Sequence, residues 1–339
     1  MMNETPMRLS DVEAGEDLRR TARLRPETIT VLCIFGLCVA LLFASRFVSP
    51  ALGSWSQVYT VITLASFLIV VAFGQGLVIL VGGLDLSIAS LITLGGVLTT
   101  MWAGGADGAW YLIPVILAVC AAIGALSGLG VALLGIPPFI MTMATGIIVA
   151  SVALGYTSGT PRGAAPPVFI DLMKSSVAGI PVILIFVVLF AIAAAGLQGR
   201  TAFGRRLYAI GSNPLAAHIA GLAVTRSVVL AYMASAVAAG FAGMMLAGYS
   251  NGATLRMGDS YLLPSIAAVV IGGSSILGGS GSFVATVGGA LLLTTIGTII
   301  AALGIPQGWR TVIEGSIILI ALLLLRENTF ARLRNWTAR

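Results

Sequence analysis

Asp85 is the only charged residue between Arg46 and Asp107. It stands in "VGGLDLSIASLITLGGV" (81–97), two residues after the Gly82–Gly83 pair. A carboxylate at mid-bilayer costs about 2.5–3.5 kcal/mol on insertion scales, so it faces protein, a water-filled cavity or an interface. The two glycines can break a helix, and Asp85 and Ser87 can then cap the next one, where negative charge is favoured. Two readings stay open: a structural cap at a broken helix, and a residue of a path or gate. Gln75, Thr142 and Thr145 also place polar groups within apolar segments. With Asp85 and Ser87 they are the candidate translocation path.

A second polar stretch is "GRRLYAIGSNPLAAHIAG" (204–221), which holds Arg205, Arg206 and the sole histidine, His218. Asn213 suits an N-cap, Pro214 the first helical position and Gly221 the end of the helix. A helix of about two turns results, marginal on its own. Leu215, Ile219 and Leu222 recur at helical spacing as one apolar stripe, and Ala216, Ala217 and Ala220 keep the backbone approachable. Such a helix fits docking into a partner's groove, or lying on lipid headgroups. With no carboxylate near it in sequence, His218 reads as a surface residue, not as a ligand or a relay.

Other chemistries find no support. The glycine-rich "VVIGGSSILGGSGSFVATVGGALLL" (269–293) lacks the Gly-Lys-Ser/Thr ending of a nucleotide-binding loop. The one lysine, Lys174, lies elsewhere. In a membrane these small residues mean close helix packing or a non-helical break. Cys33, Cys38 and Cys120 have no paired spacing. A Ser/His/Asp set cannot be built, and no metal or cofactor is expected. Intramembrane carboxylates amount to Asp85 and Glu314, the latter four residues after Arg310 and suited to pair with it on a helix. That is few for a proton-driven carrier, although a secondary transporter driven by an ion gradient remains the alternative.

What must position these residues is a lipid-soluble scaffold. The chain is 58% hydrophobic and 9% charged, against about 25% charged in soluble domains. Long continuous apolar runs imply helices, the structure that satisfies its own backbone in lipid. The expected fold is an all-α polytopic bundle of about ten spans, some of them broken. The apolar segments lie near 28–47, 56–81, 86–103, 111–134, 138–156, 179–197, 228–249, 263–278, 282–303 and 309–325. Residues 1–27 and 326–339 are tails, and residue 1–27 chemistry is too acidic for a cleaved signal peptide. Arginine sets the orientation. Arg8, Arg19, Arg20, Arg23, Arg25, Arg200, Arg205, Arg206, Arg226, Arg326, Arg332, Arg334 and Arg339 fall on one side, taken as cytoplasmic with both termini. Only Arg46, Arg162, Lys174, Arg256 and Arg310 fall on the other. The net charge of +6 is thus a topology signal and implies no nucleic acid. "LLGIPPF" (133–139) and "ALGIPQGW" (302–309) form similar turns on opposite sides, as an inverted repeat would.

The blocks "GGLDLSIASLITLGGV", "GIPPFIMTMAT" (135–145), "GRTAFGRRLYAIGSNPLAAHIAGLAV" (199–224) and "SIAAVVIGGSSILGGSGS" (265–282) resemble the permease subunits of bacterial ribose-type sugar ABC importers, in order from about residue 60 to 325. The 199–224 block is the specific one. The resemblance implies a multi-pass inner-membrane permease for a monosaccharide or sugar alcohol. It implies a second permease copy or homologue, separate ATPase subunits and a periplasmic sugar-binding protein. It also implies that Asn213, Pro214, Leu215, Ala216, Ala217, His218 and Gly221 form the coupling helix in contact with the ATPase, on loop arms carrying Arg205 and Arg206. ATP hydrolysis then belongs to the partner chain. A cysteine replacing Arg206, in a background without native cysteines, is expected to react with an impermeant thiol reagent in inverted membrane vesicles and to stay unlabelled in intact cells.

Overall fold

The computed structural model describes residues 26–47, 53–104, 109–306 and the scattered positions 308, 309, 311–313, 315, 316 and 319. In chain order the helices are α1 (Pro26–Ser45), α2 (Trp55–Leu80), α3 (Ile88–Trp102), α4 (Leu112–Ala132), α5 (Pro138–Tyr156) and α6 (Pro167–Lys174). After a two-residue hairpin of β1 (Ser176–Val177) and β2 (Ile180–Pro181) come α7 (Val182–Arg200), α8 (Ala202–Ser212) and α9 (Pro214–Ile219). The last three are α10 (Val224–Ser250), α11 (Asp259–Ile271) and α12 (Phe283–Ala302). Six of them, α2, α4, α5, α7, α10 and α12, are each long and apolar enough to cross a membrane. The apolar helices α3 and α11 are shorter, and α1 adds an apolar stretch over Thr30–Ser45. Most of the expected last segment, 309–325, and nearly all of both tails lie outside the described residues, as does the Arg310–Glu314 pair.

Helix α10 is the central post. Its buried face is rich in small residues, among them Ser235, Ala236, Ala239, Gly240, Ala242, Gly243 and Ala247. Three helices approach it through glycine. On α2, a Cβ at Gly74 would lie 2.7 Å from the Ser235 Cα; on α4, one at Gly128 would lie 2.7 Å from the Val229 Cα. Gly95 of α3 abuts the Gly240 backbone, and Gly243 of α10 abuts the Ile92 carbonyl. In lipid, close backbone approach supplies the dispersion contact that hydrophobic expulsion cannot. Around this post a cluster including Phe67, Ile69, Leu91, Ile92 and Met245 fills the core. Phe73, Phe190 and Phe283 meet edge to face and tie α2, α7 and α12 together.

The bundle has two chemically different ends. At one, α8 and α9 pack on the C-terminal end of α2, the start of α10 and the end of α4. Thr30, near the start of α1, lies at the same end, 3.6 Å from where a Gly273 Cβ would stand. At the other end the exposed aromatics gather: Trp55, Trp110, Tyr111 and Tyr156. There Trp102 Nε1 donates to the Tyr156 hydroxyl at 2.8 Å. The first end thus carries the exposed Arg205 and Arg206, and the second the exposed aromatics. The two GIP turns sit at opposite ends, since α4 finishes against α9 while α12 begins there. Gly135 (φ 66°) and Gly304 (φ 71°) make the same left-handed turn in each. Lipid-facing side chains such as Leu126, Ile147, Ile148, Leu189 and Ile192 are exposed on α4, α5 and α7.

One connection departs from a simple loop. Gly243 meets Ile92, so α10 continues seven residues, about 10 Å, beyond that level. Residues 251–258 then return into the bundle, where the Gly258 amide donates to Thr93 Oγ1 at 3.3 Å. Gly243→Val puts side-chain atoms against the Ile92 carbonyl and is expected to lower the thermal midpoint in detergent by several degrees, equivalent to at least 1–3 kcal/mol of overpacking, or about that range. Gly196→Ala, with open space at its Cβ position, is expected to leave the midpoint unchanged or slightly raised in the same fluorescence assay.

Candidate functional site

The site is built where helices stop inside the bundle. After Leu80 the chain leaves α2, turns through Gly82 at φ 80° and does not become helical again until Ile88. The peptide groups of this break must be satisfied by the protein. Asp85, buried to 1% exposure, does much of this. Its Oδ1 accepts from the Ser87 amide at 3.0 Å and the Ser87 hydroxyl at 2.5 Å. Its Oδ2 accepts at 2.8 Å from Ser235 Oγ on α10. Thr142 of α5 pins the other flank: its Oγ1 accepts from the Leu86 amide at 3.0 Å, with the Leu84 carbonyl at 3.2 Å and the Pro138 carbonyl at 2.9 Å as its acceptors. No cation among the described residues pairs with Asp85, so hydrogen bonds carry the compensation.

The capping expected of Asp85 and Ser87 therefore takes a different form. Ser87 sits at the N-cap of α3 but makes no side-chain cap bond. Its hydroxyl goes back to Asp85, and the carboxylate caps the break instead of the helix. The reason is geometric: Ser87 has helical backbone angles, which turn its side chain away from the N2 and N3 amides.

Gln75 is fully buried on α2, one residue from the Gly74–Ser235 contact, and both its amide atoms lack a partner among the described residues. The Tyr232 hydroxyl is likewise unpartnered, 2.5 Å from where a Gly83 Cβ would stand. Asp85, Ser87 and Thr142 thus converge on the break, with Gln75 close by in the bundle interior. Thr145 does not join them. It bonds Ser127 Oγ at 3.1 Å and the Met141 carbonyl at 3.0 Å, beside an apolar groove of about 560 Å³ between α4 and α5.

The polar hairpin seats on this break. Thr201 caps α8 by accepting from the Gly204 amide at 3.2 Å. Leu207 and Ile210 face inward, while Arg205 and Arg206 face out. Gly211 lies against the Leu80 carbonyl and the Gly279 amide, so no Cβ fits there. The Gly279 amide donates to the same Leu80 carbonyl at 3.0 Å. Tyr208 Oη donates to the Gly281 carbonyl at 2.6 Å. One short helix thus touches both non-helical segments, 81–87 and 272–282. The glycine-rich run serves both ways: residues 272–282 form a turn, and Gly289 packs against the Ala268 carbonyl.

Helix α9 is closed at both ends. Asn213 Oδ1 accepts from the Ala216 amide at 3.0 Å, and Pro214 occupies the first position. Gly221, at φ 79°, ends it: its amide reaches the His218 carbonyl at 2.9 Å, and the Leu222 amide reaches that of Ala217 at 3.0 Å. This is a Schellman arrangement, with Leu222 and Ala217 packed together below it. Leu215 and Ile219 are 69% and 78% exposed, and Ala216 and His218 are exposed as well. Two expectations need correction here. Ala217 faces the bundle, packed with Val78, Ile210 and Tyr232, and Leu222 turns in with it, leaving Leu215 and Ile219 as the outward stripe. The cause is that the Schellman turn folds Leu222 back over Ala217. Of these partners, Tyr208 and Gly211 lay within a sequence block already singled out. Ser235, 150 positions from Asp85, gave no signal.

The comparisons with known proteins point one way. Residues 57–322 match the family described as branched-chain amino acid transport system / permease component. A probable ABC transporter permease of Sinorhizobium fredii is 34% identical over 88% of this chain and 89% of its own. A ribose import permease of Bacillus subtilis is 36% identical over 76% of this chain and 81% of its own. A galactose/methyl galactoside import permease of Escherichia coli is 31% identical over 86% and 92%. No solved structure matches. Asp85→Leu strands the Ser87 amide and two buried hydroxyls and is expected to cost about 1–3 kcal/mol for each group left unpaired. Asp85→Asn, which keeps an acceptor, is expected to lose markedly less thermal stability in detergent.

Proposed function

The chain belongs to this permease-component family, and from that premise we propose that it is the transmembrane subunit of an ATP-binding cassette importer that carries a small carbohydrate across the bacterial inner membrane. A permease component is not itself an ATPase. The energy source is a separate subunit gripping α9, and the solute is delivered by a periplasmic sugar-binding protein. Ribose and galactose, named for relatives, are the first solutes to try. A second permease, identical or homologous, completes the channel. Both termini lie in the cytoplasm, with the end of the bundle that bears α8 and α9.

The observation that carries this reading is the exposed pair Leu215 and Ile219 on a helix whose other face is fixed to the bundle. A helix resting on headgroups needs no rigid seat. One that transmits force does, and α9 has a cap at each end and the packed α8 behind it. Closure of the ATPase pair displaces α9, α8 moves with it, and the contacts of Gly211 and Tyr208 carry the shift to 81–87 and 272–282. Asp85, Ser87 and Thr142 then act as the latch of a gate at this end, with Gln75 beside it. An ion-gradient carrier would have no use for the seated hairpin.

Leu215→Asp and Ile219→Asp alter exposed side chains and leave the fold intact. Each is expected to abolish co-purification of the ATPase subunit and to reduce ATP-dependent sugar uptake to background. Undiminished uptake by the double variant excludes α9 as the coupling element.

A further inference from the structure

Beyond the break and the hairpin, one cluster of polar groups has no assigned role. Between α3, α5 and the returning 251–258 segment lies a pocket of about 410 Å³. Ser90, Thr93, Ser151, Arg256 and Asp259 supply its polar lining, and Ala89 and Ala150 are among its small apolar walls. The volume falls within the range of small-molecule sites.

Its depth can be read from the helices. Ser151 is five residues below Tyr156 on α5, and Thr93 is nine below Trp102 on α3. At 1.5 Å per residue the pocket lies about 7–13 Å beneath the aromatic belt, inside the hydrocarbon thickness. The bond from the Gly258 amide to Thr93 holds the returning segment at that depth. Yet Arg256 and Asp259, joined by an ion pair of 2.7 Å, have side chains 86% and 47% exposed. An exposed pair of charges at this level cannot face acyl chains; it faces water or protein. Arg256 also holds a left-handed backbone at φ 71°, rare for a residue with a side chain and costly by about 1–3 kcal/mol. The turn is closed by the Asp259 amide donating to the Arg256 carbonyl at 3.1 Å. Arg256 and Asp259 thus place charged groups at the rim of a pocket whose walls are mostly apolar.

We infer that this pocket is a solute subsite of the translocation route, taking a neutral polyhydroxylated molecule between Arg256, Asp259 and the hydroxyls of Ser90 and Ser151. The inference rests on the permease reading above and adds residues to it. The ion pair uses only Nε and Oδ2, so among the described residues the two Nη groups and Oδ1 remain for vicinal hydroxyls, which need a donor and an acceptor side by side. The pair is neutral as a whole, so the pocket disfavours ions of either sign. With Asp85 at the hairpin end and this pocket nearer the aromatic belt, the route has a latch and a resting place at different depths.

The test uses the full importer, with ATPase and binding protein, reconstituted in liposomes and supplied with a panel of radiolabelled ribose, galactose and xylitol. Arg256→Gln and Asp259→Asn are each expected to raise the ATP hydrolysed per sugar delivered by about tenfold, the loss of one charged hydrogen bond. A Ser151→Cys chain lacking the three native cysteines is expected to react with a water-soluble thiol reagent, and the transported sugar to slow that reaction. A proportional fall of hydrolysis and uptake, the mark of a misassembled complex, overturns the inference. So does an unreactive Ser151→Cys or uptake unchanged in both charge variants. If the unaltered complex carries none of the panel, the carbohydrate reading fails instead, and the reactivity of Ser151→Cys decides on the pocket alone.

Discussion

A helix that stops inside a packed bundle leaves peptide groups that the protein itself must satisfy. This protein answers that constraint at two places, 81–87 and 272–282. The first is satisfied by Asp85, Thr142 and Ser235, drawn from the break itself and from two other helices. The second is satisfied in part by the first, through the Leu80 carbonyl and the Gly279 amide. Because each break completes the other, neither can shift alone.

This mutual dependence makes the hairpin more than a surface decoration. Helix α8 lies across both breaks, with Gly211 against one side of the Leu80–Gly279 bond and Tyr208 anchored to Gly281. A single short helix therefore reports its position to two membrane segments at once. Its outward neighbour α9 has six residues, too short to hold itself together in water. The Asn213 cap, Pro214 and the Schellman turn at Gly221 supply the stiffness that length does not. Stiffness is what the proposed lever requires, and Leu215 and Ile219 are its exposed apolar side chains.

The rest of the bundle separates lipid from water. Helices α4, α5 and α7 expose leucine and isoleucine, while α3 is enclosed along most of its length. The exposed Arg256–Asp259 pair marks one face that cannot be lipid-covered. It stands beside α3, the helix that begins at the Asp85 break. The Asp85 break and the pocket beside Arg256 thus share one buried helix, and a displacement at its start has a direct mechanical path to the pocket wall.

Much of this was legible in the residues themselves. Hydropathy placed eight of the ten expected segments to within four residues of the observed helices, because lipid leaves helix as the economical solution and glycine or proline at the edges; the segment 263–278 ran seven residues past the end of α11, into the glycine-rich turn. Asn213, Pro214 and Gly221 announced α9, since capping is local chemistry. Among the described residues Arg200, Arg205, Arg206 and Arg226 lie at the end that carries the hairpin. Other features depended on contacts that sequence distance hides. Ser235 completes the Asp85 site from 150 positions away, Ala217 turns inward because of a turn that begins after it, and Ser87 bonds backward to Asp85 because its backbone is already helical. Arg256 read as an outer-loop charge until the returning segment carried it down beside Thr93. Local propensity and solvent fix which residues are helical. Which buried polar group meets which is settled only when the helices close on one another, because each hydrogen bond in a dry interior needs its partner within about 3 Å.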